Sequence, residues 1–370
     1  MNRRQFVQAA AATGAAVGLG ESALTARDGE PAQPRARLVV DGLDTSVMNE
    51  GFLKLLRTGG AHCVHQSMGG LDSYGTLHDF LDGHAAEIVL ATTVGGIHEA
   101  QEQGKLSVVL GVQDANLLEK MLVKDPTQGY GTVAGGLRAY YELGLRIHGI
   151  CYNVANVFGG GCMDPEVPLT RAGRRLVEEV HKRRIVLDVG GHTGERTSLD
   201  AIALSASVPV VCTHTNVRAL NANMRAVTDR LIEAIAGTGG VVGITAISDF
   251  LVRNPTSSRQ HGPRSPRAQL PAYLDQVDYV RRLVGVDHVA LGPDFVWGWG
   301  ETYDHKPEDS MTFPPEALST GPALTVEGFA NISELPNVIA GLEKRGWPAS
   351  DLDKFLGGNW LRVYERVWGA

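Results

Sequence analysis

Cysteine is scarce in this sequence: the 370 residues include four cysteines, far apart and without a Cys-x-x-Cys pair. This scarcity excludes a zinc ribbon and a dense disulfide scaffold. Buried thiols are the expected state, and one disulfide in an oxidising compartment is the alternative that the spacing leaves open. The four residues are Cys63, Cys151, Cys162 and Cys212.

The chain also lacks an excess of positive charge and the motifs of several reaction classes. Its formal net charge of −7 gives no general attraction for phosphate backbones, so we do not expect a nucleic-acid partner. There is no Gly-x-Ser-x-Gly elbow and no P-loop, and Gly159-Gly160-Gly161 stands without a dinucleotide fingerprint. These absences argue against phosphoryl and hydride transfer.

The N-terminus has the pattern of an export signal. Arg3 and Arg4 precede an apolar run from Phe6 to Leu19 that is too short and too rich in Gly and Ala to anchor as a spanning helix. We interpret residues 1–26 as a twin-arginine signal peptide, with an amphipathic helix as the alternative. The mature chain is then expected in the periplasm or outside the cell, without a stable membrane anchor.

The rest of the chain alternates buried-strand and helix patterns. Hydrophobic residues make up 43% and charged residues 20%, which is ordinary for a globular protein. Eight short apolar runs read as parallel strands buried on both faces, so residues 27–370 are predicted to form one α/β domain, a (β/α)8 TIM barrel. The runs are Leu38–Val40, Cys63–His65, Leu106–Val112, Ile147–Tyr152, Ile185–Val189, Val208–Cys212, Val241–Ile244 and Val289–Leu291.

Two segments break the regular alternation. Ile88–Val94 is compatible with a helix or a short extra strand. The stretch from Arg253 to Pro271, rich in Pro, Arg and Ser, is predicted to be an inserted loop. A lid over the barrel mouth and a surface insertion are both open readings of that loop.

Polar residues occur at the carboxyl ends of the predicted strands, where barrel enzymes build their sites. We therefore expect these residues to converge on one mouth, although each alone is compatible with loop capping. They are Asp41, His65, Gln113, Tyr152, Asn153, His192, His214 and Asp294.

Three of these residues have the donor types of a metal site. His192 and His214 follow neighbouring strands, and Asp294 follows the last strand. Two imidazoles and one carboxylate suffice to hold a catalytic zinc ion that activates water. The alternative is that all three form hydrogen bonds that stabilise loops.

Arg225 lies in a loop after a strand end. Its guanidinium is suited to grip a substrate carboxylate through two parallel hydrogen bonds. A surface salt bridge is the alternative role.

Taken together, the motifs of residues 38–368 resemble the membrane dipeptidases, also called renal dipeptidases, a family of zinc barrel hydrolases that cleave dipeptides. The resemblance implies the metallo-dependent hydrolase type of TIM barrel. It rests on Gly104-Lys105-Leu106, Gly111-Val112-Gln113, Leu143-Gly144-Leu145-Arg146, Leu169-Thr170-Arg171-Ala172-Gly173, the His192 segment, Thr213-His214-Thr215, Gly239-Gly240-Val241-Val242-Gly243, Val284-Gly285-Val286-Asp287-His288-Val289 and Leu356-Gly357-Gly358-Asn359-Trp360-Leu361-Arg362-Val363.

The resemblance implies roles for four residues. It implies that His192, His214 and Asp294 ligate metal and that Arg225 binds the substrate's carboxylate.

Other family positions differ in this chain. The family's first-strand His and Asp correspond to Leu43 and Thr45, its bridging Glu to Gln113, and a substrate-binding His to Tyr152. Two divalent cations repel strongly without such anionic ligands, which disfavours a two-ion centre. Asp44 and His65 are weaker candidates for substitute ligands.

We therefore expect a metal-assisted hydrolase that cleaves an amide or peptide bond in a dipeptide or related small molecule, with at most one zinc ion. Asp294 and Tyr152 are the predicted catalytic residues, and Arg225, Asn153 and Gln113 are predicted to bind substrate. The competing hypothesis is a metal-free, divergent member that binds or transforms a non-peptide metabolite. A homodimer is a further hypothesis.

Overall fold

A computed structural model describes residues 37–124, 131–252, 267–298 and 325–369 of this chain. The predicted signal peptide and residues 253–266 of the predicted inserted loop lie outside the described residues.

The core is a parallel β-sheet that curves into a nearly closed barrel. Eight strands follow one another around it in chain order, and the short strand β3 pairs with the first residues of β4. All described pairings are parallel. The strands are β1 (Val40–Asp44), β2 (Cys63–Ser67), β3 (Ile88–Leu90), β4 (Leu106–Val112), β5 (Leu145–His148), β6 (Val186–Asp188), β7 (Val210–Thr215), β8 (Val241–Ile244) and β9 (Val289–Leu291).

Helices cover the outer face of the barrel, and threonine is the N-cap residue of several of them. Thr170 accepts a hydrogen bond from the Gly173 N–H, and Thr228 accepts one from Leu231, so each satisfies an amide that a helix start leaves open. The helices are α1 (Glu50–Thr58), α2 (Leu71–Gly83), α3 (Val94–Glu102), α4 (Asn116–Lys124), α5 (Gly131–Glu142), α6 (Arg171–Lys182), α7 (Glu195–Ser205), α8 (Asp229–Gly237), α9 (Ser248–Leu251), α10 (Leu270–Val284), α11 (Leu335–Lys344), α12 (Ala349–Asp353) and α13 (Asn359–Trp368). Within the described ranges, none of them is both long and apolar enough to span a bilayer.

Contacts between β1 and the segment after β9 bring the first and the last strand of the barrel together. The Asp294 N–H donates to the Leu43 carbonyl, and the Thr45 N–H donates to the Phe295 carbonyl. Trp360 from α13 is fully buried next to Gly42 of β1 and donates its indole N–H to the Leu291 carbonyl of β9 over 2.8 Å. These contacts fix the strand ends that carry the mouth.

The predicted barrel is confirmed, and two of its boundaries are refined. Ile88–Leu90 forms the short extra strand, and Pro271 lies in α10, where a proline without an N–H suits the first helical turn. Several strands extend or shift by a few residues. Asp41 and His214 therefore lie inside β1 and β7 instead of after them, and His65 lies in the middle of β2 instead of at its end. Apolar runs mark where a strand is buried but not where its hydrogen bonding stops.

All four cysteines are buried free thiols. Of the two states that the spacing left open, the structure adopts the unpaired one.

We expect Trp360→Ala to lower the free energy of unfolding by about 3–5 kcal/mol, because it removes a fully buried aromatic side chain and leaves a cavity beneath β1 and β9. Urea denaturation followed by circular dichroism measures this loss. Trp297→Ala is the matched control, since Trp297 is 37% exposed, and it should cost clearly less. An equal loss of unfolding free energy in the two variants would contradict the conclusion that the buried Trp360 stabilises the barrel.

Candidate active site

The structure brings the predicted histidines and the last-strand aspartate together at the barrel mouth. The rings of His192 and His214 lie 4.9 Å apart between centroids, and their planes are inclined by 59°. His214 Nε2 lies 3.9 Å from Asp294 Oδ2, which is too long for a direct hydrogen bond. His192 and His214 are buried, and the Asp294 side chain is 15% exposed.

The loop after β5 holds His192 from two sides. The Tyr152 ring stacks on the imidazole, with centroids 3.9 Å apart and planes within 20°. Asn153 Oδ1 lies 2.7 Å from His192 Nδ1. Asn153 adopts a left-handed backbone conformation (φ 63°), which Asn tolerates better than most residues. The buried Asn153 thus contacts His192, and its predicted role in substrate binding stays a prediction.

Arg225 is almost completely buried beside the two histidines. Its Nη1 and Nη2 atoms have no hydrogen-bond partner among the described residues. The guanidinium carbon lies 5.4 Å from the Phe250 ring centroid, a cation–π distance. A Cβ added to Gly191, which has φ 68°, would come within 2.3 Å of Nη1, so a glycine is required against this guanidinium.

Burial and the Arg225 charge keep both imidazoles neutral. Burial lowers the pKa of His192 well below its usual value, and Arg225 and then His214 lower it further. The pKa of His214 is likewise well lowered, first by burial and then by Arg225 and His65. Burial raises the pKa of Asp294 to about 7 although Arg225 opposes the rise. The mouth therefore offers neutral nitrogen bases beside a carboxyl that exchanges its proton near neutrality.

A second polar layer lies along β1 and β2. Asp41 and Asp44 are fully buried, and one oxygen of each has no hydrogen-bond partner among the described residues. Burial raises the pKa of Asp44 to about 7 and that of Asp41 well above its usual value, with the Asp44 charge a further cause for Asp41. His65 Nδ1 lies 2.7 Å from the Gly42 carbonyl, and its buried Nε2 has no partner in the described chain.

Gln113 lies directly after β4 and contacts the end of β2. Its Nε2 donates to Ser67 Oγ over 2.9 Å, while Oε1 is buried without a partner in the described ranges. A neutral amide here cannot supply the anionic bridge that two cations need.

Sequence reasoning missed two residues, Thr213 and Asp188, that form a chain of hydrogen bonds with His214 Nδ1. Thr213 Oγ1 lies 2.9 Å from His214 Nδ1 and donates to Asp188 Oδ2 over 2.5 Å. Asp188 appeared only inside a predicted strand, and Thr213 only as part of the Thr213-His214-Thr215 motif. The available signal was a hydroxyl residue directly before a candidate histidine.

The residues present do not fit a two-ion metal centre. Leu43 is fully buried, and Thr45 Oγ1 donates to the Phe295 carbonyl over 2.8 Å. Across residues 37–124, 131–252, 267–298 and 325–369, no group of three or more His, Cys, Asp or Glu side chains is arranged to hold a metal ion. We therefore derive the chemistry of this mouth from its side chains.

The fold is a parallel α/β barrel with a polar mouth at the carboxyl ends of its strands. The family model for "Membrane dipeptidase (Peptidase family M19)" matches residues 58–312 and 318–369, and the chain belongs to this family. The model for a twin-arginine translocation signal matches residues 1–20, in agreement with the predicted signal peptide.

Related sequences include proteins named as dipeptidases. The chain is 30% identical over 291 residues to an uncharacterized protein in the pqqA 5' region of Klebsiella pneumoniae, an alignment that covers 77% of this chain and 90% of that protein. It is 23% identical to dipeptidase ataJ of Aspergillus terreus, with 82% of this chain and 68% of that protein covered.

Solved structures share the fold. An amidohydrolase from Pseudomonas aeruginosa superposes with a TM-score of 0.76 at 26% identity, covering 90% of this chain and 97% of that one. Dipeptidase AC, a family M19 metallopeptidase, superposes with a TM-score of 0.71 at 22% identity, covering 90% and 99%.

We expect Asp44→Asn to be more stable than the parent chain at pH 8 and little different at pH 4. The folded pKa of Asp44, about 7, lies above the ordinary value of 3.8, so its contribution to the free energy of unfolding is lost as the pH rises between these values. Asparagine is neutral throughout and removes that loss, which should exceed about 1 kcal/mol. Urea denaturation in the presence of a chelator at both pH values measures the difference.

Asp79→Asn on α2 is the control, since it makes the same substitution at an exposed position. If both variants have the same pH profile of stability, the buried carboxyl of Asp44 does not titrate as described.

Proposed function

We propose that this chain is a hydrolase that cleaves an amide or peptide bond in a dipeptide or related small molecule carrying a free carboxylate. The observation that carries the proposal is Arg225, a buried guanidinium whose two terminal nitrogens have no partner among the described residues. Leaving such donors without an acceptor is costly, and a substrate carboxylate satisfies both through a bidentate pair. Family membership and a relative named as a dipeptidase support the reaction class.

The neighbouring side chains supply acid–base chemistry. His214 is neutral, and its buried Nε2 has no partner in the described chain and faces Asp294. In the proposed reaction, Asp294 or His214 accepts a proton from water, and the resulting hydroxide attacks the carbonyl carbon. The proton then passes to the leaving amine as the C–N bond breaks.

Tyr152 is proposed to stabilise the negative charge that develops on the carbonyl oxygen. Its ring stacks on His192, which places the side chain at the mouth. A phenol O–H donates a hydrogen bond to an oxyanion, and such donors lower the barrier of acyl transfer. Gln113 and Asn153 are proposed to contact the substrate.

We further propose that the site holds at most one zinc ion. Its ligands would be His192, His214 and Asp294, although these side chains are not arranged to hold an ion in the described structure. Two imidazole nitrogens and one carboxylate match the ligand chemistry of catalytic zinc. The unpartnered His214 Nε2 supports this choice. A bound zinc ion supplies a water molecule of lowered pKa.

One observation favours a second function, a metal-free barrel that binds or transforms a non-peptide metabolite. The family's first-strand ligand positions are occupied by Leu43 in β1 and by Thr45 directly after it. Leucine has no donor atom, and the neutral threonine hydroxyl is a weak metal ligand. An apolar side chain at such a position makes that side of the mouth less polar than a two-ion site.

The twin-arginine signal directs the chain to export. We propose the periplasm or the extracellular space as its location, a small molecule as its substrate and a homodimer as its assembly state.

We expect Arg225→Met to raise KM for a free-acid dipeptide about 10- to 100-fold, which corresponds to losing charge-assisted hydrogen bonds of about 1.5–3 kcal/mol. The parent enzyme should prefer the free acid over the same dipeptide amidated at its C-terminus, and the variant should lose this preference. The measurement is kcat/KM for both substrates with both proteins.

The matched control is Arg230→Met on α8, an exposed arginine that should leave KM unchanged. Near-ultraviolet circular dichroism checks folding, and Arg225→Lys retains the charge without the bidentate geometry. If the parent enzyme does not discriminate between free acid and amide, the assigned role of Arg225 is wrong.

We expect the purified chain to bind zinc in a ratio no higher than one ion per chain. Zinc added to chelator-treated protein should then raise Tm. At a zinc concentration 100-fold above the Kd, the free energy of unfolding should rise by about 2.7 kcal/mol. His214→Gln should abolish the shift, and His98→Gln on α3 should retain it. Mass spectrometry of the metal content and thermal melts give the two readouts.

Two zinc ions per chain would contradict the single-ion proposal. A Tm that ignores both zinc and chelator would instead favour the metal-free function.

A further inference from the structure

The buried hydroxyl of Thr213 lies between the His214 imidazole and the Asp188 carboxyl. Its Oγ1 is 2.9 Å from His214 Nδ1 and 2.5 Å from Asp188 Oδ2. Thr213 and His214 are at most 1% exposed, and Asp188 is 5% exposed. Because these three groups are removed from bulk water, each hydrogen must be assigned to one of them.

The surroundings of Asp188 fix the direction of this chain of hydrogen bonds. The carboxyl also accepts from the Thr213 N–H over 3.2 Å and from the Gly190 N–H over 3.4 Å. Three donors around one carboxyl are best satisfied by the ionised form, which only accepts. Burial raises the pKa of Asp188 to about 6, and it is still ionised at neutral pH.

A threonine hydroxyl has one hydrogen. If Thr213 gives that hydrogen to Asp188, its oxygen can only accept from His214 Nδ1. The imidazole then carries its hydrogen on Nδ1, and Nε2 keeps its lone pair. That Nε2 is the buried, unpartnered atom 3.9 Å from Asp294 Oδ2.

A different residue imposes the same state on His192. Asn153 Oδ1 lies 2.7 Å from His192 Nδ1 and also accepts from the Cys162 thiol over 3.5 Å. An amide oxygen cannot donate, so His192 Nδ1 must carry the hydrogen. Its Nε2 is therefore also a lone pair.

We propose that Thr213, backed by Asp188, and Asn153 are positioning residues that hold His214 and His192 as Nδ1–H tautomers. This inference rests on the proposed function, because a lone pair on Nε2 serves both a base that takes a proton from water and a ligand of one metal ion. It assigns Asn153 a role behind the imidazole in addition to the proposed substrate contact.

The test is the tautomer of His214, read from the ¹⁵N shifts of its two ring nitrogens in metal-free, ¹⁵N-histidine-labelled protein at pH 7.5. His214→Gln identifies its signals among the 12 histidines. The parent chain should show a protonated Nδ1 and an unprotonated Nε2.

Two variants should change that state by different routes. Thr213→Val removes the acceptor, so the hydrogen should move at least partly to Nε2, where Asp294 can accept it. Asp188→Asn gives Thr213 an amide donor, so the hydroxyl can turn towards His214 Nδ1 and favour Nε2–H. Thr213→Ser keeps the hydroxyl and should keep the parent tautomer.

A parent chain with Nε2–H at His214 would overturn the inference, and so would an Nδ1–H tautomer that survives in both Thr213→Val and Asp188→Asn. Near-ultraviolet circular dichroism checks that each variant folds. If only one of the two variants folds, the tautomer of His214 in that variant decides the test. With a substrate that turns over, kcat should fall about 10- to 100-fold in Thr213→Val with little change in KM and recover in Thr213→Ser. Absence of turnover across a dipeptide panel would count against the proposed hydrolase and would leave the tautomer result in place.

Discussion

The mouth of this barrel depends on one buried positive charge. Arg225 is 1% exposed, and burying a guanidinium without hydrogen-bond partners for its terminal nitrogens is costly. The cost is offset in part by the Phe250 ring and by Asp188 and Asp294, whose pKa values Arg225 lowers against the effect of burial. The same charge adds to the effect of burial in lowering the pKa of His192 and His214, so burial and Arg225 together keep these imidazoles neutral.

The opposite side of the mouth follows a different electrostatic rule. Burial raises the pKa of both Asp41 and Asp44 on β1. Asp44 raises that of Asp41 further, whereas a hydrogen bond with Asp41 lowers that of Asp44, and no cation is among the causes that shift them. Burial therefore favours their protonated forms, in which a carboxyl donates as well as accepts. One side of the mouth thus contains the buried Arg225 cation. The other side, along β1 and β2, contains carboxyl groups that burial favours in their neutral form. This division agrees with the loss of the family's first-strand ligands at Leu43 and Thr45.

Much of the fold was predictable because its signal is local. Each strand that is buried on both faces leaves an unbroken apolar run, and eight such runs identified the barrel. The short strand Ile88–Leu90 was ambiguous because three apolar residues do not distinguish a strand from a helix. His65 was predicted at the end of its strand and His214 after its strand, because a polar residue that follows an apolar run looks like a strand end, whereas both lie inside strands of this barrel.

The sequence by itself determined the barrel, the export signal, and the residue types at the mouth, because burial periodicity and side-chain chemistry are properties of short segments. Only the tertiary structure decided which atoms meet. It set Thr213 between Asp188 and His214, placed Gly191 against Arg225, and stacked Tyr152 on His192. These contacts join residues up to 40 positions apart, and their distances follow from strand register and loop conformation, which no local pattern encodes.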